Sequence, residues 1–256
     1  MELPDYEYKG LMAEAWDILR GDTSNWPDRI FYLDLIKHYG QPVLDVGCGT
    51  GRHLLDYMAQ GIDMDGVDNS PEMLAICRRK AADMGLSVTL YEQFVEELNI
   101  LRKYKVILIP SSSIQLIIDP VLARRALQNL YEILLPGGVL AASIMTIWQK
   151  GEPLFSEWEK KAVDPKTGCE YRRIARGWYD PESECERTED IYQLIIEDKI
   201  VKEEIHQRDP ATRSYTQQQA KQLFSSAGFQ NVKLYHEFTK EPVKDSDMLF
   251  TVVAQK

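Results

Sequence analysis

The residues whose types and spacing most clearly suggest chemistry lie in segment 42–52, PVLDVGCGTGR. Its apolar start, residues 43–46, has the length and composition of a buried parallel strand. Gly47, Gly49 and Gly51 then alternate with other residues, which permits a tight turn and a close approach of the backbone to a ligand. An amphipathic pattern follows and predicts a helix, whose N-terminus favours negative or polar ligand groups. The segment therefore predicts a ligand cradle at the carboxyl end of a strand, where open α/β sheets bind their ligands.

The spacing of the glycines narrows the choice of ligand. A dinucleotide-binding loop, G-x-G-x-x-G, would have its third glycine at position 52, which Arg52 occupies. The sequence also contains no Tyr-x-x-x-Lys pair, so a nicotinamide dehydrogenase is disfavoured. Asp68 ends the next predicted strand, and a helix predicted to begin at Ser70 and Pro71 follows it. A carboxylate at that strand tip can accept hydrogen bonds from both hydroxyls of a ribose, which indicates a ribose-containing ligand.

Composition and charge exclude several classes of function. The formal net charge of −10 over 256 residues argues against a nucleic-acid partner, whose phosphates call for a basic surface. No run of about 18 apolar residues exists, so no membrane span is predicted, and residues 1–7 lack the features of a signal peptide. The four cysteines form no Cys-x-x-Cys pair, so neither a metal site nor a disulfide framework is indicated. We therefore expect a soluble, cytoplasmic enzyme or binding protein.

The chain is predicted to consist of three parts. Residues 1–40 read as two aromatic-rich helices, either a lid over the cofactor hinged at Gly21 or helices packed on the sheet edge. Residues 41–147 alternate strands with helices, and residues 211–256 add a helix and two strands, so together they predict a doubly wound parallel sheet. Residues 148–210 lack this alternation and contain three extended segments separated by turn signals. They predict an antiparallel β insertion after strand five, which either covers the substrate or forms a contact in a homo-oligomer.

With these residues in place, the sequence resembles the small-molecule class I S-adenosylmethionine (SAM)-dependent methyltransferases over essentially its whole length. Segment 45–51, DVGCGTG, resembles the methionine-binding loop of that family, and Asp68 resembles its ribose-binding acid. Segment 134–140, LLPGGVL, resembles the entry to strand five, and residues 227–229, Ala-Gly-Phe, resemble the turn into strand six. The resemblance implies a seven-stranded Rossmann-like sheet with an antiparallel last strand. It also implies S-adenosyl-L-methionine as methyl donor and S-adenosyl-L-homocysteine (SAH) as product.

The resemblance also implies where the cofactor is bound. Two positions depart from the family pattern. Phe94 stands where an acidic residue usually faces the adenine, so Phe94 would wall the ring and Gln93 would hydrogen-bond its edge. In the N-terminal segment Trp16 replaces a tyrosine, and its indole can cover the methionyl end or face the sulfonium through cation–π attraction. The implied cofactor-binding residues are Trp16, Asp45, Gly47, Cys48, Gly49, Gly51, Arg52, Asp68, Asn69, Met73, Gln93, Phe94, Pro110 and Ser111.

Methyl transfer from a sulfonium is an in-line displacement, so positioning can supply much of the catalysis, on the order of 7–11 kcal/mol. An amine acceptor needs only to arrive neutral, whereas a hydroxyl acceptor needs a base. Ser112 and His53 are weak candidates for a catalytic role, and we expect His53 to lie on a helix surface. In this family the turn after strand four meets the substrate. Here it reads Ser111-Ser112-Ser113, which differs from the Asn/Asp-Pro-Pro-Tyr/Phe of enzymes that methylate amino groups of bases.

Residues of that turn and of the insertion are candidates for contacting the methyl acceptor. The alternative for the serines is a loop that satisfies its own backbone, and for the others it is packing of the insertion. The candidate substrate-binding residues are Ser112, Ser113, Trp148, Trp178, Arg213 and Tyr215.

The sequence thus predicts an enzyme that moves the SAM methyl group to a nitrogen or oxygen nucleophile of a small molecule, an amine, hydroxyl or carboxyl compound. The predicted partner is this small-molecule acceptor, with no nucleic acid and no membrane. The alternative is a non-catalytic protein of the same fold that binds SAM in an assembly or regulatory role.

Overall fold

A seven-stranded sheet forms the centre of the fold in the computed structural model, which describes residues 8–256. The first seven residues of the predicted lid segment lie outside the described residues. Numbered along the chain, the strands of this sheet are β1 (Val43–Val46), β2 (Met64–Asp68), β3 (Leu90–Glu92), β4 (Tyr104–Ile109), β5 (Leu134–Met145), β10 (Gln230–His236) and β11 (Leu249–Gln255).

The strand order of this sheet is β10-β11-β5-β4-β1-β2-β3. Strand β1 pairs in parallel with β2 and β4, while β11 runs antiparallel to both of its neighbours, β5 and β10. The predicted doubly wound, seven-stranded sheet with an antiparallel last strand is therefore confirmed. Because the chain reverses its direction of winding between β1 and β4, the carboxyl ends of these strands border the crevice where such folds bind ligands.

Local signals in the sequence set the starts of several helices. Ser70 accepts a hydrogen bond from the backbone N–H of Met73 (3.1 Å) and Pro71 occupies the first turn, as predicted. Thr216 and Gln219 form a capping box at the last helix.

None of the helices within residues 8–256 is long and apolar enough to cross a membrane. They are α1 (Gly10–Arg20), α2 (Pro27–Tyr39), α3 (Arg52–Met58), α4 (Pro71–Asp83), α5 (Pro120–Ile133) and α6 (Gln217–Ser226).

Two apolar layers hold these helices on opposite faces of the sheet. Leu44 and Ile107 point into the layer that contains Leu127 of α5 and Phe224 of α6. Their neighbours along β1 and β4 point the other way, into a layer formed with α2, α3 and α4. Alternate residues of a strand face opposite sides, and burial of each large apolar side chain contributes about 1.5–3 kcal/mol. The two layers fix the sheet whose carboxyl edge carries the glycine turn.

A second sheet, of four antiparallel strands, follows β5 in the chain. Its strands are β6 (Phe155–Val163), β7 (Glu170–Asp180), β8 (Cys185–Ile196) and β9 (Lys199–Arg213), paired in that order. The sequence predicted three extended segments here, and β6 was missed. Nearly every residue of β6 is exposed, so its sequence has no burial pattern from which a strand could be read.

Two boundaries in the main sheet differ from the prediction. Strand β3 is limited to three residues, whereas the alternating pattern indicated a strand over residues 87–91. Strand β5 begins directly after α5, whereas the Pro-Gly-Gly at 136–138 was predicted to separate helix from strand. The pairing of β5 with β4 shifts register between Tyr104 and Val106, so the strand absorbs this segment as an irregularity.

Helix α1 packs on the four-stranded sheet instead of the main one. Leu11, Ala15 and Leu19 form a small core with Tyr192 of β8. At the start of α1, the backbone N–H of Gly10 donates to Glu72 of α4 (2.6 Å), and the N–H of Leu11 donates to Glu204 of β9 (2.7 Å). Carboxylates at a helix N-terminus satisfy free N–H groups and complement the helix dipole. Helix α1 therefore bridges the second sheet and α4.

We expect Leu11→Ala to loosen α1 from the four-stranded sheet. Leu11 is fully buried, and truncating such a side chain costs about 2–5 kcal/mol. Limited proteolysis should cleave the connection at residues 21–26 faster than in the wild type. Val121→Ala, on the exposed face of α5, is the control and should change nothing. Equal cleavage of the Leu11→Ala variant and the wild type would contradict the proposed docking.

Candidate functional site

A cavity of about 300 Å³ opens at the carboxyl ends of β1, β2 and β4. This volume is at the lower end of the range found for small-molecule sites. It brings together all of the cofactor-binding residues expected from the sequence except Gly51. Residues of α1 and Arg208 of β9 also line it, so both the N-terminal helix and the second sheet border the cavity.

The glycine turn forms the floor of this cavity. Gly47, Gly49 and Gly51 all have positive φ angles, of 68°, 53° and 84°. A Cβ at Gly47 would lie 2.8 Å from the Oγ of Ser113, whereas one at Gly49 would meet no atom within 4 Å. Gly51 lies outside the cavity, where a Cβ would lie 2.6 Å from the Sγ of Cys77. The positive φ angles therefore disfavour any residue other than glycine at all three positions. At Gly47 and Gly51 the neighbouring side chains also leave no room for a Cβ.

The carboxylate of Asp68 is held at the tip of β2 by two backbone N–H groups. Gly49 donates to one oxygen (2.8 Å) and Ser70 donates to the other (2.9 Å). Burial raises the pKa of Asp68, although these two bonds oppose the effect. Each carboxylate oxygen still has a lone pair for a further donor. The arrangement fits a ligand that offers two neighbouring hydroxyl groups.

Asp45 places a second carboxylate in the cavity, and one of its two oxygens has no hydrogen-bond partner among the described residues. The residue is 1% exposed, and its Oδ1 has no hydrogen-bond partner among the described residues. Burial raises the pKa of Asp45 to about 7, while the charge of Arg52 opposes the rise. A buried carboxylate without a partner is costly. A cationic ligand group beside Asp45 would supply the missing partner.

His53 is buried, 2% exposed, and the expectation that it lies on a helix surface is wrong. Its Nε2 lies 3.3 Å from Asp28, but neither ring nitrogen has a hydrogen-bond partner among the described residues. Burial lowers the pKa of His53 and so favours the neutral ring, while Asp28 opposes the shift. Arg52 donates two hydrogen bonds to the same Asp28 (3.0 and 2.5 Å). The charge of Arg52 is therefore balanced within the protein.

Helix α1 contributes a second guanidinium. Arg20 lies over the ring of Trp16 (4.5 Å from its Cζ to the ring centroid) and donates to the Oγ of Ser111 (3.3 Å). In residues 8–256 it has no carboxylate within ion-pair distance, unlike Arg52. Asp17, the next residue after Trp16, accepts from Thr50 of the glycine turn (2.6 Å) and pairs with Lys80 (2.7 Å). The end of α1 is thus fastened to the cavity floor.

The loop after β3 closes the far end of the cavity. Gln93 and Phe94 line it, as expected, but the amide of Gln93 already exchanges hydrogen bonds with the backbone of Asn99 (2.8 and 3.4 Å). Val95 and Glu96 also line it, and sequence reasoning missed them. It also missed Arg20, although Arg20 lies one helical turn after Trp16 and so on the same face of α1. For Arg208 the sequence offers no signal, because only tertiary packing brings β9 to the cavity.

In the serine turn after β4, some residues line the cavity, and the polar groups of the turn form hydrogen bonds within the protein. Pro110, Ser111 and Ser113 line the cavity, but the Oγ of Ser113 donates to the carbonyl of Pro110 (2.8 Å). Ser112 does not line it; its φ is 58° and its N–H donates to the Oγ of Ser143 (3.0 Å). This agrees with the alternative in which the turn satisfies its own polar groups.

Five of the six expected substrate residues lie outside the cavity, namely Ser112 and four residues of the insertion and its exit. Trp148 stacks on Tyr179, with ring centroids 5.5 Å apart, and Trp178 packs on Phe155 at 5.3 Å. Arg213 donates to the carbonyl of Ile118 (2.7 Å). The structure does not bring Trp148, Trp178, Arg213 or Tyr215 to the cavity wall. In residues 8–256 no group of three or more His, Cys, Asp or Glu side chains is arranged to hold a metal ion.

The sequence of this chain is similar to those of known methyltransferases. Residues 43–138 match the family model of a methyltransferase domain. A putative methyltransferase of Geobacillus sp. (strain WCH70) is 26% identical over 252 residues, 96% of each chain. The dTDP-3-amino-3,6-dideoxy-alpha-D-glucopyranose N,N-dimethyltransferase of Streptomyces fradiae is 24% identical, over 88% of this chain and 86% of its own.

Solved structures share the fold over nearly the whole chain. An S-adenosylmethionine-dependent methyltransferase from Clostridium acetobutylicum ATCC 824 superposes with a TM-score of 0.76 at 18% identity, covering 94% of this chain and 96% of its own. The sugar N-methyltransferase KedS8 from Streptoalloteichus sp. ATCC 53650 has a TM-score of 0.70 at 18% identity, covering 100% and 99%. The second sheet is therefore part of a shared architecture.

We expect Asp45→Asn to stabilise the ligand-free protein at neutral and alkaline pH. The folded pKa of about 7 lies above the ordinary value, so ionising Asp45 destabilises the native state increasingly from about pH 4 up to pH 7. Above about pH 8 the difference should be constant, on the order of 2–4 kcal/mol. Thermal unfolding at pH 5 and pH 8 measures it, with Asp34→Asn, at an exposed position, as control. A variant less stable than the wild type at pH 8 would contradict this account.

Proposed function

We propose, since the chain belongs to the class I SAM-dependent methyltransferases, that it transfers the SAM methyl group to the amino group of an amino sugar. The observation that carries the cofactor part is the pair of carboxylates in the cavity, Asp68 clamped by two N–H groups and Asp45 with an unpaired oxygen. The acceptor part is supported by relatives that match this chain over most of its length.

The charged groups of the cavity match the charges and hydroxyls of SAM. Asp68 would accept the two ribose hydroxyls, since both of its oxygens are fixed and keep a free lone pair. Asp45 would pair with the methionyl ammonium, which supplies the partner that its Oδ1 lacks. Arg20 would bind the methionyl carboxylate, because it lines the cavity and its contacts are with Ser111 and aromatic rings. The residues of this chain therefore fit the cofactor.

Bound SAM supplies an electrophilic methyl group on a positively charged sulfur. The protein's part is to hold the acceptor in line with that methyl and to keep water away. Trp16 and Arg20 of α1, tied to Ser111, wall the cavity from the N-terminal side. In this proposal residues 1–40 act as a lid, residues 148–210 cover the substrate, and residues 41–147 with 211–256 hold the cofactor.

An amine acceptor agrees with the chemistry available in the cavity. An amine becomes nucleophilic once it loses one proton, whereas a hydroxyl needs a base in hydrogen-bond contact during the transfer. His53 borders the cavity and burial lowers its pKa, but its ring is 2% exposed and packs against Tyr32 with Nε2 3.3 Å from Asp28. The Streptomyces fradiae relative is named for N,N-dimethylation of a dTDP-linked amino sugar, and KedS8 is named a sugar N-methyltransferase. Both names support a sugar amine as the acceptor.

A transfer assay tests the proposed reaction. The protein is incubated with SAM and dTDP-3-amino-3,6-dideoxy-α-D-glucose, and SAH and the methylated sugar are followed by mass spectrometry. The matched control acceptor carries a hydroxyl in place of the amino group. We expect SAH and an N-methylated product with the amine alone. Binding of SAM without methylation of either compound would contradict the amino-sugar proposal and support the non-catalytic alternative.

We expect Asp68→Ala to weaken SAM binding about 30- to 100-fold, which corresponds to about 2–3 kcal/mol. The change removes the acceptor of both ribose hydroxyls and leaves the N–H groups of Gly49 and Ser70 without their partner. Calorimetric titration measures the affinity. Asp83→Ala, at an exposed position near the end of α4, is the control and should bind as the wild type does. Unchanged affinity in Asp68→Ala would reject the role assigned to this residue.

A further inference from the structure

We propose that Trp26 is a positioning residue for cofactor binding, because it holds the guanidinium of Arg20 toward the cavity. This inference rests on the proposed function, in which Arg20 binds the methionyl carboxylate of SAM. Arg20 lines the cavity, whereas Trp26 does not. Trp26 therefore contributes to binding through a neighbouring side chain and not by touching the ligand.

The indole of Trp26 contacts two guanidinium groups. Its ring centroid lies 5.0 Å from the Cζ of Arg52 and 5.7 Å from the Cζ of Arg20. Both distances fall within the range in which a cation is attracted to the face of an aromatic ring. The side chain of Trp26 is 37% exposed, so it is not a residue of the apolar core. Its contacts with the two arginines therefore account for a tryptophan at this position better than core packing does.

The start of α2 fixes the position of the Trp26 ring. The backbone N–H of Trp26 donates to the carbonyl of Thr23 (3.2 Å), and Pro27 restricts Trp26 to an extended conformation. Arg52, which lies over the ring, is held in turn by its hydrogen bonds to Asp28 of α2. The ring and one of its two cations are thus fastened to the same helix start, and the ring forms a fixed surface for the other cation.

The guanidinium of Arg20 needs such a surface. Burial lowers the pKa of Arg20, and the neighbouring positive charge of Arg52 lowers it further. Because Arg52 also lines the cavity, repulsion between the two groups favours positions of the Arg20 side chain outside the cavity. The ring of Trp16 (4.5 Å), the ring of Trp26 and the Oγ of Ser111 (3.3 Å) are the contacts that oppose this repulsion.

Holding Arg20 before the cofactor arrives favours binding. A long side chain that moves freely in the unbound protein loses rotamer freedom when it pairs with a carboxylate. The two indoles restrict Arg20 beforehand, so less freedom remains to be lost. Trp16 lines the cavity and can also touch the ligand, whereas Trp26 lies behind the arginines. Substitution of Trp26 therefore tests the positioning effect by itself.

Binding of two ligands tests the proposal. SAH carries the methionyl carboxylate, whereas 5′-deoxy-5′-methylthioadenosine has the same adenosine and thioether but lacks the amino-acid group. We expect Trp26→Leu to weaken SAH binding about three- to tenfold, as loss of one cation–π contact would give. Binding of methylthioadenosine should be unchanged in this variant. Trp26→Phe keeps an aromatic face and should recover most of the SAH affinity. Calorimetric titration at one ionic strength measures all of these affinities.

Trp158→Leu is the matched control. Trp158 of β6 is 46% exposed, has the guanidinium of Arg173 over its ring (4.7 Å) and does not line the cavity. Its substitution should leave the affinities for both ligands unchanged. A loss of SAH affinity in this control equal to that in Trp26→Leu would reveal a general effect of removing a surface tryptophan and would overturn the proposal.

A double substitution shows whether Trp26 acts through Arg20. Arg20→Gln alone should weaken SAH binding about tenfold or more, and adding Trp26→Leu should cost no further affinity. The proposal is overturned if Trp26→Leu has the same effect with and without Arg20, or if it weakens both ligands equally. If Arg20→Gln leaves SAH binding unchanged, the assignment of Arg20 fails and this proposal fails with it. If the wild type does not bind SAH, the proposed function itself fails.

Discussion

The structure depends on one hydrogen bond across the glycine turn, from the N–H of Gly49 to the carboxylate of Asp68. It joins the ends of two neighbouring parallel strands, β1 and β2, at the edge where the sheet binds its ligand. The bond requires the left-handed turn at Gly47 and Gly49, and it directs Asp68 into the cavity. The N–H of Ser70 holds the other oxygen, so the start of α4 and the glycine turn share one carboxylate.

Hydrogen bonds and ion pairs to acidic side chains hold α1 beside the cavity at this edge of the sheet. Helix α1 is anchored at its start by Glu72 and Glu204 and at its end by contacts of Asp17 with Thr50 and Lys80. These contacts bring α1 and the second sheet over the cavity of a chain with a net charge of −10. Within residues 8–256, the Oδ1 of Asp45 has no hydrogen-bond partner, and the proposed pairing with the methionyl ammonium would supply one. Without a ligand, the buried carboxylate of Asp45 costs stability.

The parts of the fold and site that could be predicted from sequence are those with local signals. The glycine turn, Asp68 and the start of α4 at Ser70 and Pro71 are set by residues close together in the chain, and the structure has the predicted turn and helix start. Strand β6 could not be predicted, because an exposed strand buries no regular face. The burial of His53 depends on its contacts with Asp28 and Tyr32 of α2, which no local pattern of α3 contains.

On the acceptor side of the site, local sequence signals predicted fewer of the residues than on the cofactor side. Arg208 lines the cavity although it lies in β9 of the second sheet, so its place there depends on tertiary packing. Trp148 and Trp178 were predicted to be substrate-binding residues of the insertion, but they pack with Tyr179 and Phe155 and do not line the cavity. Residue type alone did not distinguish the wall of the cavity from the packing of the sheet behind it.

The central claim is that this edge of the sheet holds SAM, and calorimetric titration of the wild-type protein with SAM, SAH and NAD tests it most directly. The account predicts saturable binding of SAM and of SAH with one site per chain, and no heat of binding with NAD. The predicted specificity follows from Arg52 in place of a third dinucleotide-loop glycine and from the unpaired Asp45. Binding of NAD without binding of SAM or SAH would contradict it.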